Sequence, residues 1–314
     1  MSATALFALT LFACTGADTG SEPPPTLEPP PQGYGYQLEM TTTAEPYAEV
    51  WDCEVYDLPN SAVAYVNWLE FNQNAGTHHM TLSTPNLGTT VDIENGRYDC
   101  NDLYLESMDD WTMIYGNQGT AEGAMHLPEG VAASLPANLK VLHEVHYVNA
   151  TDQPVEIYSQ VNAWTIVESE VTDGIWGGSV RDENIFIPAQ STHTEWSRCV
   201  FNRDVEILFL ASHTHEKGVQ FDIAPFDGET VGEVFYTNDD WHDPKIVQYE
   251  DPLVVPAGEG FEWSCTWDND TEAEVTYGNT ADNEMCNLAV VHTPFDISAA
   301  CEVVETSDGV IWEQ

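Results

Sequence analysis

Positive charge is nearly missing from this chain of 314 residues: seven Lys and Arg stand against 53 Asp and Glu, for a net charge of −46. Phosphate backbones are held by clusters of Lys and Arg, so nucleic acid is not an expected partner. Anionic membrane surfaces are disfavoured for the same reason. Long apolar runs are also missing. The stretch from Ala3 to Ala13 is too short to cross a bilayer as a helix, and no other segment approaches that length. There is no CxxC pair, so a thioredoxin-like or zinc-ribbon reading has no footing. Long amphipathic helical patterns are absent, which argues against a helical bundle. The acidic surface reads as that of a secreted protein adapted to a salty or calcium-rich medium, ahead of a patch for a cationic partner.

What is present begins with an export-like start. The short apolar run ends in Leu11-Phe12-Ala13-Cys14, which resembles a bacterial lipobox whose Cys becomes the lipidated first residue, although no Lys or Arg precedes it. Residues 1–14 are therefore read as a signal peptide, with Cys14 as the lipidation site and attachment to a membrane only through that lipid. The expected location is extracytoplasmic, lipid-anchored or secreted. Residues 15–35 carry two Pro triplets, which favour extended polyproline conformation and suit a spacer. From Tyr36 onward, runs rich in Val, Ile, Tyr, Trp and Thr alternate with Gly, Asn, Asp and Pro clusters. Many short strands predict an all-β protein of sandwiches or jelly rolls. A boundary near Val171–Gly174 gives two domains, 36–170 and 171–314.

Setting Cys14 aside, six cysteines remain: Cys53, Cys100, Cys199, Cys265, Cys286 and Cys301. An even number in an exported chain predicts three disulfides. Six cysteines allow 15 connectivities, and the spacing does not choose among them.

The histidines carry the chemistry. His213-Thr214-His215 puts two imidazoles on one strand face, because strand side chains alternate. Met285 adds a thioether, and soft sulfur with imidazole selects copper, especially Cu(I), over zinc or magnesium. His78 and His79 are adjacent, so they share one metal only at a bulge or strand end, or through different ring nitrogens. His146 lies on the same face as Glu144, with His143 on the other. These residues suffice for two copper sites, one set on each side of the expected boundary. His126, His143, His193, His242 and His292 are read as structural or surface residues. Asn149-Ala150-Thr151 and Asn269-Asp270-Thr271 match the glycosylation pattern.

Five stretches occur in an order that resembles the copper type II ascorbate-dependent monooxygenases, the family of peptidylglycine α-hydroxylating and dopamine β-monooxygenases. They are His78-His79-Met80, Leu127-Pro128-Glu129-Gly130-Val131, Val145-His146-Tyr147, His213-Thr214-His215 with Gly218, and Glu284-Met285-Cys286-Asn287-Leu288. With the cysteines, the resemblance runs from about Cys53 to Cys301. It implies tandem β-sandwich domains facing each other across a solvent-filled cleft. It implies an electron-transfer copper at His78, His79 and His146. A second copper at His213, His215 and Met285, the catalytic set, would be where O2 reacts. Ascorbate or a similar reductant would supply electrons. Disulfides Cys53–Cys100, Cys199–Cys301 and Cys265–Cys286 are implied as well, as is a substrate contact by Asn287.

Where peptide-amidating members carry an Arg and a Tyr that hold a carboxylate, this chain has Ala211 and Ala289. A guanidinium is hard to replace as a bidentate carboxylate partner, so the expected substrate is a neutral or cationic small molecule rather than a peptidyl-glycine. Glu144 reads either as a group that orients a ligand or as a solvated side chain. Two other functions compete with a C–H hydroxylase: copper handling without turnover, and a β-sandwich adhesion or carbohydrate-binding lipoprotein with incidental histidines.

Overall fold

The computed structural model describes residues 27–309 apart from 87, 108–109, 243 and 279–281. Residues 1–14 with Cys14, and most of the Pro-rich spacer, lie outside the described residues.

The fold is all-β, and the described residues contain one α-helix, Cys100–Ser107. Strands between Gly35 and Gly174 build two sheets. In the first, the order is Gly35–Ala44, Val155–Ile166, Ala64–Gln73, Val131–Leu135 and Asp173–Gly174, and Glu122–His126 also pairs with Ala64–Gln73. In the second, the order is Gly96–Asp99, Glu49–Asp57, Lys140–Val148, Thr77–Pro85 and Trp111–Gln118. The two sheets pack face to face. Leu38, Phe71 and Val161 from one meet Met80, Leu82 and Val145 from the other in a single core.

Strands from Trp176 onward build the C-terminal sandwich. One sheet runs Trp176–Arg181, Asn287–Thr293, Val205–His213 and Val247–Val255. Its partner runs Tyr236–Asn238, Gly218–Phe226, Gly260–Asn269, Ser191–Phe201 and Cys301–Thr306. A short pair, Phe186–Ile187 with Val275–Thr276, lies apart from both. Alternation explains the strands that face solvent on one side. Ser191–Phe201 buries every second residue from Glu195 onward. Val205–His213 departs from alternation because both of its faces are covered. Ile207 and Leu210 enter the sandwich core, whereas Leu208 and Phe209 meet Leu127 and Val131 of the N-terminal half. That apolar contact joins the halves, and Gln248 Nε2 adds a hydrogen bond of 2.8 Å to the His126 carbonyl.

The disulfides join Cys53 to Cys100, Cys199 to Cys301 and Cys265 to Cys286, the pairings implied by the resemblance. Each can add about 2–4 kcal/mol by restricting the unfolded chain. Structural bridges of this kind belong to oxidising compartments. The two Asn-x-Thr sequences are internal braces. Asn149 and Asn269 are buried. The Asn149 amide donates to the carbonyls of Ala44, Glu45 and Gln153, and that of Asn269 to Pro188 and Ala273. In each, the Thr hydroxyl donates to the Asn carbonyl oxygen at 2.7 Å.

Candidate metal centres

The N-terminal histidines meet because of a register shift. Strands Thr77–Pro85 and Lys140–Val148 pair with Thr77 opposite Tyr147 and His79 opposite His146, which leaves His78 as the extra residue of a β-bulge. In a regular strand, His78 and His79 would point to opposite faces; the bulge turns both to one side. His78 Nδ1 lies 3.0 Å from His79 Nδ1 and 3.1 Å from His146 Nδ1. Among the described residues these three form the one group of His, Cys, Asp and Glu close enough to hold a metal.

The outer nitrogens decide what the inner ones can do. His79 Nε2 lies 2.6 Å from Glu144 Oε1, and His146 Nε2 lies 2.6 Å from Glu49 Oε1. A carboxylate accepts, so each Nε2 carries a proton, and in the neutral tautomer each Nδ1 presents a lone pair. Glu144 is buried and also accepts from Trp51 Nε1 at 2.7 Å and Thr81 Oγ1 at 2.9 Å. It orients a ligand candidate and is not a solvated side chain. Burial, reinforced by His79, His146 and His242, pushes the His78 imidazole down to about 4. Burial also lowers His146, against the opposing pull of Glu49. Neutral rings with their lone pairs turned towards one another repel unless a cation lies between them. This donor set fits a copper ion bound by three imidazoles.

The second set is assembled differently. Strand Val205–His213 ends at its own histidine, so His215 sits in the turn beyond rather than on a shared strand face. The two rings still approach, with centroids 5.3 Å apart. Gly218 makes the turn possible, since a Cβ there would lie 2.2 Å from Thr214 Oγ1. His215 Nδ1 donates to the Asn283 carbonyl at 2.9 Å, which leaves Nε2 with its lone pair. Burial and then the neighbouring His215 lower the His213 imidazole, although the residue as a whole is exposed.

Glu284 ties this set together. Its side chain is fully buried and accepts the backbone N–H of His215 at 2.8 Å, that of Lys217 at 2.7 Å and Trp267 Nε1–H at 3.0 Å. The next residue, Met285, is buried, and Cys286 is bridged to Cys265. One carboxylate therefore fixes the His215 turn to the segment that carries the thioether. Asn287 donates from Nδ2 to Met285 Sδ at 3.1 Å.

Residues directly opposite in an antiparallel sheet share a face. Arg181, Asn287 and His213 form one such row, and Ser179, Ala289 and Ala211 the next row on that face. Small side chains thus lie beside His213 and Asn287. Lys217 is the basic residue nearest to the ligands in sequence, yet the sheet brings Arg181 opposite Asn287. Arg181 Nε is held by Glu183 Oε1 at 3.0 Å.

Among the remaining histidines, His143 is buried against Ser159 Oγ at 2.9 Å, His126 stacks on Trp68, and His193 meets Glu195. His242 is exposed, in line with a surface position, yet it has a further contact. It comes from the C-terminal half, and its Nε2 contacts His78 Nε2. Neither Glu284 nor His242 carries a spacing signal that would have assigned its contact. Glu284 falls in one of the stretches that carry the resemblance, but nothing in its spacing assigns its bonds to the His215 turn, and His242 has no ligand at a regular interval.

Residues 175–310 match a family described as copper type II ascorbate-dependent monooxygenase, C-terminal domain. No curated protein matches the chain. Among solved structures, similar chains include PNGase F, a glycosylasparaginase from Flavobacterium meningosepticum. It shows 9% identity and a TM-score of 0.36, over 82% of this chain and 96% of that one. Another is the major capsid protein P2 from bacteriophage PM2, at 10% identity and a TM-score of 0.33, over 84% of this chain and 100% of that one. Those TM-scores are too low to carry an argument about fold or function.

Proposed function

We propose, from the match of residues 175–310 to the family described as copper type II ascorbate-dependent monooxygenase, C-terminal domain, that the chain is an extracytoplasmic copper monooxygenase hydroxylating a substrate C–H bond. O2 would be the oxidant, and ascorbate or a similar reductant the electron source. Segments 36–170 and 171–314 would be its two domains, with Cys14 as a lipid anchor. The observation that carries the reading is the convergence of three Nδ1 lone pairs in the N-terminal half, together with a family match that covers the other half. Storage of copper needs no separate three-imidazole centre of this kind, which favours an enzyme over a copper carrier.

His78, His79 and His146 would hold one copper, and His213, His215 and Met285 the other. Bound copper would supply single-electron transfer at the first centre and O2 activation at the second. The protein's own residues do the positioning. Glu144 and Glu49 hold protons on the outer nitrogens of His79 and His146, which keeps their Nδ1 atoms available. The Asn283 carbonyl does the same for His215 through its Nδ1–H. Asn287 presents its amide beside Met285 and in the row of His213, where a substrate would lie against Ala211, Ala289 and Ser179. Glu183 already engages Arg181, so a peptidyl-glycine carboxylate meets a guanidinium whose charge is matched. A neutral or cationic small molecule suits this floor.

The test is copper stoichiometry and ascorbate-driven O2 uptake on protein lacking residues 1–35. Two coppers per chain with substrate-stimulated uptake are expected, and Met285→Ala should abolish hydroxylation while leaving copper at the three-histidine centre. Hydroxylation that survives Met285→Ala refutes the second site. Copper binding without uptake on amines, peptides and phenols moves the assignment to copper handling.

A further inference from the structure

Each imidazole of the three-histidine centre has its outer nitrogen occupied, but not by the same kind of group. His79 and His146 are held by Glu144 and Glu49, carboxylates of their own half. His78 is held by His242, which lies 164 residues away on the other half. The rings of His78 and His242 meet edge to face, with centroids 4.1 Å apart and planes 74° apart. His78 is also the bulged residue, skipped in the pairing with Lys140–Val148, although its carbonyl accepts the Gly119 N–H at 3.1 Å. Its ring is the one of the three whose outer nitrogen meets no carboxylate and depends on the other half.

The segment that carries His242 is built to present it. Asp240 Oδ1 accepts the His242 backbone N–H at 3.0 Å, and the Asp240 carbonyl accepts from Asn238 Nδ2 at 2.7 Å. The Tyr236 hydroxyl donates to the Lys245 carbonyl at 2.6 Å, and Trp241 packs edge to face on the His242 ring. Six residues further on, Gln248 docks on the His126 carbonyl. The same stretch thus grips the N-terminal half twice, once at the metal ligands and once away from them.

We propose that His242 is a positioning residue for the three-histidine centre. It accepts the His78 Nε2–H, sets the His78 ring, and completes the centre only when the C-terminal half is docked. Because its acceptor is a neutral imidazole, His78 is a less electron-rich ligand than the two histidines that donate to carboxylates. The centre is then asymmetric, and its properties report the contact between the halves. This inference rests on the copper reading above.

The test uses the folded chain carrying His213→Ala and His215→Ala, so that bound Cu(II) reports the three-histidine centre alone. Cu(II) is followed by electron paramagnetic resonance and by competition with a chelator. Adding His242→Ala should shift the g and hyperfine values and weaken copper binding roughly 10-fold, the low end for loss of an outer ligand partner. His242→Gln, whose carbonyl oxygen can accept the same N–H, should restore most of both. Gln248→Ala, which removes only the neighbouring docking contact, should leave the spectrum unchanged. An unaltered spectrum and affinity in His242→Ala overturns the proposal. Equal damage from His242→Gln overturns the acceptor role, and equal damage from Gln248→Ala overturns the direct one. If the parent binds no copper at this centre, the copper reading itself fails before any His242 variant is reached.

Discussion

The two candidate centres are built on opposite plans. The N-terminal centre lies within a sheet: its histidines come from paired strands, a bulge aligns them, and separate carboxylates fix two of the rings. The C-terminal centre lies at the ends of the two inner strands of its sheet. One histidine ends a strand, the other sits in a turn, and the thioether comes from the segment leading into a third strand. There a single buried carboxylate, Glu284, and one disulfide replace the ladder as the source of rigidity. A sheet-borne centre has many small supports, each dispensable in part. A turn-borne centre concentrates its support in few residues, so single substitutions should damage it more.

Glu284→Ala tests that contrast most severely. It strands the N–H groups of His215 and Lys217 and the indole of Trp267 without their acceptor. Unsatisfied buried donors cost about 1–3 kcal/mol each. Denaturant unfolding should show a loss of at least about 3 kcal/mol, with copper lost from the His213 set and retained at the His78 set. Equal loss at both would erase the distinction between the plans.

Replacing Cys265 and Cys286 together by Ser should cost about 2–4 kcal/mol. It should weaken copper at the Met285 set, because Cys286 anchors the segment next to the thioether. The matching change at Cys53 and Cys100 should cost similar stability without altering copper at the Met285 set. Both effects are read by thermal unfolding and metal titration.

At the sheet-borne centre, Glu144→Gln keeps an acceptor for the His79 Nε2–H but removes the charge. Copper affinity there should fall by roughly 10-fold, about 1.4 kcal/mol, with little change in melting temperature. A collapse of the fold instead would make Glu144 a second Glu284.

A last effect, gradual in pH, is a pH dependence of the metal-free protein. His143, buried behind the three-histidine centre, is pushed down to about 3 by burial, with Glu144 opposing. The unfolded chain therefore binds this proton more readily than the folded one. Stability conferred by neutral His143 is present above pH ~6.5 and falls as pH drops towards 3, with a slope of at most about 1.4 kcal/mol per unit. His143→Gln should flatten that slope in urea melts at successive pH values.

The fold was legible where it depends on short-range pattern. Alternating and β-branched runs predict strands, and an even cysteine set in an export-like chain predicts disulfides. Ile207–Leu210 shows the limit: its continuous apolar run marks a strand covered on both faces, but nothing local says that the second cover is the N-terminal half. At the sites, His78 and His79 required a bulge to act together, and that condition was readable. Its presence follows from register with the strand that bears His146. His213-x-His215 was read as two residues on one strand face, whereas the strand stops at the first and a turn brings the second round. The place of Arg181 opposite Asn287, and the reach of His242 to His78, link positions more than 100 residues apart through pairing and docking.

By itself, the sequence determined the all-β class, the strongly acidic surface, the cysteine set available for pairing and the imidazole and thioether donors. Those are properties of composition and of intervals of a few residues. Only the tertiary structure decided which nitrogen of each ring faces inward, that Glu284 bears the His215 turn, and that the C-terminal half supplies His242 to the N-terminal centre. The physical reason is that ring orientation is set by the hydrogen-bond partner of the opposite nitrogen, and those partners come from strand register and from the contact between the halves.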